Sequence, residues 1–100
     1  MTAGRRNRIY IIGAGLAGVS LARDIREKRF PGEVVAFLDD DREKIGTRVD
    51  GVPILGPIDA AASLVEKRPA DEALIAIPSA TREKLRNIYN VLESAGFSRI

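Results

Sequence analysis

The residues best suited to chemistry in this chain are three glycines near its start. Gly13, Gly15 and Gly18 follow an apolar run at residues 9–12 in the order G-x-G-x-x-G. Where a strand turns into a helix, such glycines permit a tight turn, close approach of a pyrophosphate to bare backbone, and close packing of the helix. The free N–H groups at the helix start then attract phosphate. The predicted pyrophosphate site comprises Gly13, Ala14, Gly15, Leu16, Ala17 and Gly18.

An acidic residue follows at a spacing typical of a dinucleotide site. Asp39 ends the second apolar run, 26 residues after Gly13, and the fingerprint places an acid about 20 residues on. Its carboxylate can accept hydrogen bonds from both hydroxyls of a ribose. Asp40 is a further candidate, with capping of the next turn as its alternative role. Arg42 is the alternative candidate for a ribose 2′-phosphate, but Asp39 would repel that phosphate, which favours NAD over NADP.

The far wall of the predicted site is assigned to Pro78 and Ser79. They follow a third long apolar run, residues 73–77, at the carboxyl edge of the predicted sheet, where ligands of such folds bind. Their alternative role is to end the strand and to start the last helix.

Catalytic groups are not evident in these 100 residues. The chain contains no Cys and no His, which excludes zinc sites of the Cys/His type, thiol nucleophiles and His-dependent triads. The pair Tyr-x-x-x-Lys is absent, because Tyr10 and Tyr89 are followed four residues later by Ala14 and Glu93. We therefore predict a chain that binds a ligand without transforming it, with no catalytic residue and no metal.

The elements that must position these residues alternate along the chain. Continuous apolar runs are typical of strands covered on both faces of a parallel sheet, and they predict strands at residues 9–12, 34–38, 53–55 and 73–77. Helical periodicity and Gly/Pro punctuation predict helices at residues 16–28, 60–67 and 82–95. This alternation predicts an α/β fold, a Rossmann-like parallel sheet of about four to five strands with flanking helices in a single domain.

Charge divides the chain into two parts. Residues 1–8 form a predicted basic leader or linker that contains Arg5, Arg6 and Arg8, and residues 9–100 form the domain. The whole chain carries a net charge of +2 from 16 basic and 14 acidic residues, whereas the domain alone is balanced and has few aromatic residues, which argues against nucleic-acid binding. No apolar run approaches the ~20 residues of a membrane span, so we expect a cytoplasmic domain.

Three sequence blocks resemble a known family: IIGAGLAG, VVAFLDDDREKIGTRVDGVPILG and ALIAIPSATREKLRNIYN. They are similar to the nucleotide-binding domain that precedes the catalytic domain in CapD-like nucleoside-diphosphate-sugar epimerases/dehydratases of polysaccharide biosynthesis. The resemblance covers residues 8–97. It implies a parent enzyme acting on UDP-sugars, with membrane helices before this domain and a short-chain dehydrogenase domain after it, and it implies that the basic leader is juxtamembrane.

Residues 98–100 look like the start of a further strand, so we expect a domain of a longer protein. Together these observations predict an NAD(H)-type nucleotide-binding domain with a non-catalytic or regulatory role. The alternatives that stay open are NADP, a UDP-sugar or other sugar nucleotide, CoA, or a purely dimerising module, as in polyprenyl-phosphate sugar transferases or sugar N-acyltransferases. A homodimer also stays open, and a membrane is expected only through other parts of the parent protein.

Overall fold

The computed structural model describes residues 6–100, so the greater part of the predicted leader, including Arg5, lies outside the described residues. The strands are β1 (Arg8–Ile12), β2 (Glu33–Leu38), β3 (Arg48–Val49), β4 (Val52–Gly56) and β5 (Glu72–Ile75). The α-helices are α1 (Leu16–Arg26), α2 (Ala61–Lys67) and α3 (Arg82–Ser94), and a 3₁₀ turn at Ile58–Ala60 precedes α2. The first strand therefore begins inside the predicted leader, at Arg8.

The strands form one five-stranded sheet in the order β3-β4-β2-β1-β5. Neighbours among β4, β2, β1 and β5 are parallel, and β3 is antiparallel to β4. The α/β prediction of four to five strands with flanking helices is thus confirmed. From β1 the chain moves through α1 to β2 on one side, and later through α2 to β5 on the other. A crevice opens at the carboxyl ends of the strands where the direction reverses in this way.

The core lies in two layers because both faces of the sheet are covered. Tyr10 and Ile12 point to the face that carries α2 and α3, whereas Ile9 and Ile11 point to the face that carries α1. Successive side chains of a strand point to opposite faces of the sheet, so a strand that is covered on both faces is apolar at every position. Among the described residues, no helix is long and apolar enough to cross a membrane.

Three features of the sheet differ from the sequence prediction. The short strand β3 was not predicted; it forms a hairpin with β4 around Asp50 and Gly51, whose φ angles of 51° and 84° suit a two-residue turn. Strand β5 ends at Ile75 instead of continuing to residue 77. The predicted further strand at residues 98–100 is a single parallel bridge, in which the Ala73 N–H donates to the Arg99 carbonyl at 3.0 Å.

The start of α1 packs against the end of β1 with no side chain between them. A Cβ atom on Gly18 would lie 1.8 Å from the carbonyl oxygen of Gly13, and one on Gly13 would lie 2.6 Å from the carbonyl oxygen of Ala76. Gly13 also has a φ of 109°, which side chains rarely tolerate. Both glycines are therefore required by the fold itself.

Tyr10 donates a hydrogen bond from its hydroxyl to a backbone carbonyl at the C-terminal end of α2. Its ring is fully buried, and its hydroxyl donates to the Arg68 carbonyl at 2.6 Å, with the Leu64 carbonyl 3.2 Å away. The last carbonyls of a helix have no partner within the helix. The Tyr10 hydroxyl therefore ties α2 to the central strand.

Replacing Gly18 by Ala should destabilise the fold, because the new methyl group would overlap a backbone carbonyl that cannot move freely. We expect Gly18→Ala to lower the free energy of unfolding by about 3 kcal/mol. Gly15→Ala is the matched control, because no atom lies within 4 Å of a Cβ there, and it should change stability by less than about 0.5 kcal/mol. Equal denaturation midpoints for the two variants would contradict this account of Gly18.

Stability should depend on the Tyr10 hydroxyl in a pH-dependent way. Burial raises the pKa of Tyr10, opposed in part by the Arg68 charge, so its contribution is fully present below about pH 10, the ordinary phenol value. That contribution is lost as the pH rises through the higher folded-state pKa. We expect Tyr10→Phe to cost about 1 kcal/mol at pH 7 and to reduce the alkaline loss of stability.

Denaturant unfolding at pH 7 and pH 10.5 measures both effects. Tyr89→Phe is the control, because that ring is 46% exposed. An alkaline loss of stability that is the same in Tyr10→Phe and in the unmodified chain would exclude this role of Tyr10.

Candidate functional site

A cleft of about 520 Å³ opens at the carboxyl ends of β1, β2 and β5, at the point where the strand order reverses. Its lining combines the glycine turn, the acidic end of β2, the 3₁₀ turn, the segment after β5 and the first turn of α3. The lining residues are Gly13, Gly15, Leu16, Ala17, Asp39, Asp40, Lys44, Ile58, Ala76, Ile77, Pro78, Ser79 and Lys84.

Gly15 presents bare backbone to this cleft. No atom lies within 4 Å of the position that its Cβ would occupy, and its φ of −86° is accessible to any residue. Neither packing nor backbone conformation therefore requires glycine at this position, in contrast to Gly13 and Gly18. A ligand that approaches the backbone closely would require it.

The N-terminus of α1 is not capped by a side chain of its own N-cap residue. The helix has no side-chain cap and no acidic residue in its first turn, and within residues 6–100 the amides of Leu16 and Ala17 donate to no protein acceptor. By contrast, α3 is capped by the Thr81 hydroxyl, which accepts from the Lys84 N–H at 3.1 Å. Free amides and the helix dipole make the start of α1 suitable for an anion.

Asp39 stands beside the glycine turn and is held there by two backbone amides. Its Oδ2 accepts from the Ala14 N–H at 2.8 Å and its Oδ1 from the Asp41 N–H at 2.9 Å. An ionised carboxylate offers about four acceptor positions, so two stay available to a ligand. Asp39 is therefore both a structural link between β2 and the glycine turn and a candidate acceptor for ribose hydroxyls.

Asp40 joins three elements at the next position along the cleft. Its Oδ1 accepts from the Ile58 N–H at 2.9 Å, and its Oδ2 lies 3.8 Å from the ammonium nitrogen of Lys84. Both side chains of that ion pair are 53% exposed, so the pair contributes little stability. A ligand can displace Lys84 from Asp40 at small cost.

Two lysines in the cleft were missed by the sequence analysis. Lys84 lies in the first turn of α3, and Lys44 lies in the turn after β2, where its ammonium donates to the Ala14 carbonyl at 3.4 Å. For Lys44 the available signal was the charged stretch after Asp39, but the sequence does not show which of its side chains faces inward.

The predicted site residues are mostly brought together. Eight of them line the cleft, namely Gly13, Gly15, Leu16, Ala17, Asp39, Asp40, Pro78 and Ser79. Ala14 and Gly18 are buried beneath it, where they shape the turn without facing the cavity. Arg42 is exposed and lies outside the lining. Pro78 and Ser79 reach the wall because β5 ends early and lets the segment after it turn over Gly13.

The arrangement is suited to binding a nucleotide. It offers free amides for phosphate, a carboxylate for hydroxyl groups and ammonium groups for additional negative charge. Among the described residues, no group of three or more His, Cys, Asp or Glu side chains is placed to hold a metal ion.

The chain is similar in sequence and fold to several known proteins. The sequence matches the CoA-binding domain family over residues 1–97. It is 33% identical over 93 residues, 92% of this chain, to the probable polysaccharide biosynthesis protein EpsC of Bacillus subtilis. It is 35% identical over 80 residues, 80% of this chain, to the redox-sensing transcriptional repressor Rex of Clostridium botulinum.

The matched part is a fraction of these relatives, 16% of EpsC and 38% of Rex. A crystal structure of UDP-D-quinovosamine 4-dehydrogenase from Vibrio fischeri superimposes with a TM-score of 0.80 and 31% identity, covering 95% of this chain and 76% of the other. The fold and the sequence thus agree on one type of domain. The chain belongs to the CoA-binding domain family and is a nucleotide-binding Rossmann-like domain related to proteins of nucleotide-sugar biosynthesis.

Proposed function

We propose that this domain binds a nicotinamide adenine dinucleotide of the NAD(H) type in the cleft at the end of β1. In this proposal its role is non-catalytic or regulatory, within a CapD-like UDP-sugar epimerase/4,6-dehydratase of polysaccharide biosynthesis on the cytoplasmic side of the membrane. The binding domain begins with β1 at Arg8 and extends to residue 100, and the basic residues before Arg8 serve as a leader or linker.

The open backbone at Gly15 is the observation that carries the proposal. Gly13 and Gly18 are explained by packing, so a purely structural reading accounts for them without a ligand. Gly15 faces empty space in front of unpartnered helix amides. A pyrophosphate at this place would contact the bare backbone of Gly15 and accept hydrogen bonds from the start of α1.

The position of Asp39 supports a ribose next to that pyrophosphate. Its two backbone hydrogen bonds hold the carboxylate rigidly at the end of β2, and its remaining acceptor positions match the two hydroxyl groups of an unmodified ribose. Pro78 and Ser79 then form the opposite wall of the cleft. This pairing of phosphate site and acidic ribose site is typical of NAD-binding domains.

The names of two relatives support a redox nucleotide. Rex is described as a redox-sensing repressor, and the quinovosamine enzyme is a dehydrogenase. Nicotinamide dinucleotides are common carriers in hydride transfer. The similarity to EpsC supports a parent protein in polysaccharide biosynthesis, while the absence of a Tyr-x-x-x-Lys pair from this chain supports a binding role for the domain itself.

A sugar nucleotide or CoA is the second candidate ligand. The family is described as CoA-binding, and the dehydrogenase neighbour is named for a UDP-sugar. These molecules also contain a pyrophosphate next to a ribose, so they would use the same contacts at Gly15 and near Asp39. They differ from NAD in the base, the ribose phosphate or the group at the far end.

A thermal-shift panel of NAD⁺, NADH, NADP⁺, UDP-glucose and CoA tests the proposal. A ligand at about 100 times its dissociation constant stabilises the native state by roughly 2.7 kcal/mol, which moves the midpoint of a domain of this size by several degrees. We expect NAD⁺ or NADH to give such a shift. A shift with UDP-glucose or CoA alone would favour the second candidate, and no shift with any compound would favour a dimerising module.

A branched side chain at Gly15 should block binding without damage to the fold. We expect Gly15→Val to weaken NAD(H) binding at least about tenfold, equivalent to about 1.4 kcal/mol, because the side chain occupies the space of the pyrophosphate. Ser20→Val, on the exposed side of the same helix, is the control for introducing valine into α1. Undiminished affinity in Gly15→Val, measured by calorimetry, would refute the proposed position of the pyrophosphate.

Neutralising Asp39 should affect both binding and stability. Asp39→Asn keeps one acceptor oxygen but places an amide group against a backbone N–H, so we expect a loss of about 1–2 kcal/mol of stability and about tenfold in NAD(H) affinity. Asp41→Asn is the matched control. It removes the same charge from an exposed residue that lies two positions further along the chain and outside the cleft lining. Equal affinities of the two variants would remove Asp39 from the ligand site.

A further inference from the structure

We propose that Lys44 makes the cleft a receptor for nucleotides whose ribose carries an additional phosphate ester. The inference extends the proposed function, because it needs a ribose next to Asp39. It concerns a residue that the glycine and aspartate motif does not include. Its consequence is that the acidic end of β2 does not restrict the site to NAD.

The backbone of Lys44 is fixed by its turn. The amides of Lys44 and Ile45 donate to the Asp41 carbonyl at 3.0 and 3.2 Å, and the Thr47 hydroxyl donates to the Lys44 carbonyl at 2.6 Å. The turn is joined to β4 by a hydrogen bond from the Gly46 N–H to the Ile54 carbonyl at 2.9 Å. From this turn the half-buried side chain of Lys44 extends into the lining of the cleft.

The side chains of Lys44 and Asp39 contact the same residue of the glycine turn and line the same cleft. The Lys44 ammonium donates to the carbonyl of Ala14 at 3.4 Å, and the Ala14 amide donates to Asp39 at 2.8 Å. A ribose bound by Asp39 would therefore lie in the same part of the cleft as this cation. Within residues 6–100, no carboxylate lies within 4.0 Å of the Lys44 ammonium, since the ion pairs involve other side chains.

The charges of the cleft wall are balanced. Its ionisable residues are two acids and two lysines, and one acid, Asp40, is paired with Lys84. Asp39 and Lys44 are the remaining pair of opposite charges. Two backbone amides already stabilise the negative charge of Asp39. A phosphate ester here would thus meet an available cation as well as the carboxylate, and the repulsion expected from Asp39 alone is offset.

The geometry favours Lys44 over Arg42 for this role. Arg42 is exposed and does not line the cleft, whereas Lys44 is half-buried and does. The shared chemistry is a phosphate monoester on an adenosine ribose. It occurs at the 2′ position in NADP and at the 3′ position in CoA, and the position of Lys44 is compatible with both.

Calorimetric titration with 5′-AMP, adenosine 2′,5′-bisphosphate and adenosine 3′,5′-bisphosphate separates these cases, because the three probes share the 5′-phosphate and differ only in the additional phosphate ester. For the unmodified chain we expect at least one bisphosphate to bind as tightly as 5′-AMP or more tightly. Lys44→Gln should weaken that bisphosphate about tenfold and change 5′-AMP by less than about twofold. Lys44→Arg should restore binding, since it keeps the cation.

Two further variants serve as controls at the same ionic strength. Lys67→Gln removes one positive charge from an exposed position on α2 outside the cleft lining, and it should leave all three affinities unchanged. Arg42→Gln tests the neighbouring cation. The bisphosphate that loses affinity in Lys44→Gln identifies the 2′ or the 3′ ester as the recognised group.

Several outcomes would overturn the inference: equal losses for all three probes in Lys44→Gln, no loss at all, or a selective loss in Arg42→Gln instead. Binding of 5′-AMP and NAD⁺ with rejection of both bisphosphates would also overturn it and leave the proposed function intact. Lys44-dependent binding of a bisphosphate without binding of NAD⁺ would support the inference and overturn the NAD(H) proposal.

Discussion

The close approach of Gly18 to the carbonyl of Gly13 sets the position of α1 over the sheet. Because no side chain separates them, α1 begins directly above the end of β1 and its free amides face the crevice. The Gly13 N–H donates to the Leu38 carbonyl at 2.8 Å, and Asp39 accepts from Ala14. These bonds join the turn to the end of β2, so the site is as rigid as the sheet.

This construction separates what the fold needs from what a ligand needs. Two glycines of the motif are required by close packing, and the third, Gly15, is left without a structural reason. The same type of domain occurs in a polysaccharide biosynthesis protein and in a redox-sensing repressor, and it makes up 16% and 38% of them. The matched segment is thus a minor part of each relative, and most of each protein lies outside it.

The strands and helices were predicted correctly where a run or a periodic pattern of apolar residues indicated which side chains are buried. The apolar runs that became β1 and β2 are covered on both faces, and the amphipathic pattern of α3 matches its buried Ile88 and Leu92. The hairpin of β3 and β4 was missed because β3 has only two residues, too few for a periodic signal. Strand β5 was predicted too long because Ala76 and Ile77 continue the apolar run, although they lie beyond the end of the strand and pack against the two core layers.

The glycine turn and its aspartate could be predicted from the sequence because their requirements are local: a tight turn, bare backbone and a carboxylate at the end of a strand are encoded by residue type and spacing. Which cation of the following turn lines the cleft depends on tertiary contacts. Arg42 and Lys44 stand two residues apart in one charged turn, and their directions depend on how that turn is hydrogen-bonded to β4 through Gly46. Pairing between distant strands sets that geometry, and no local pattern of residues contains it.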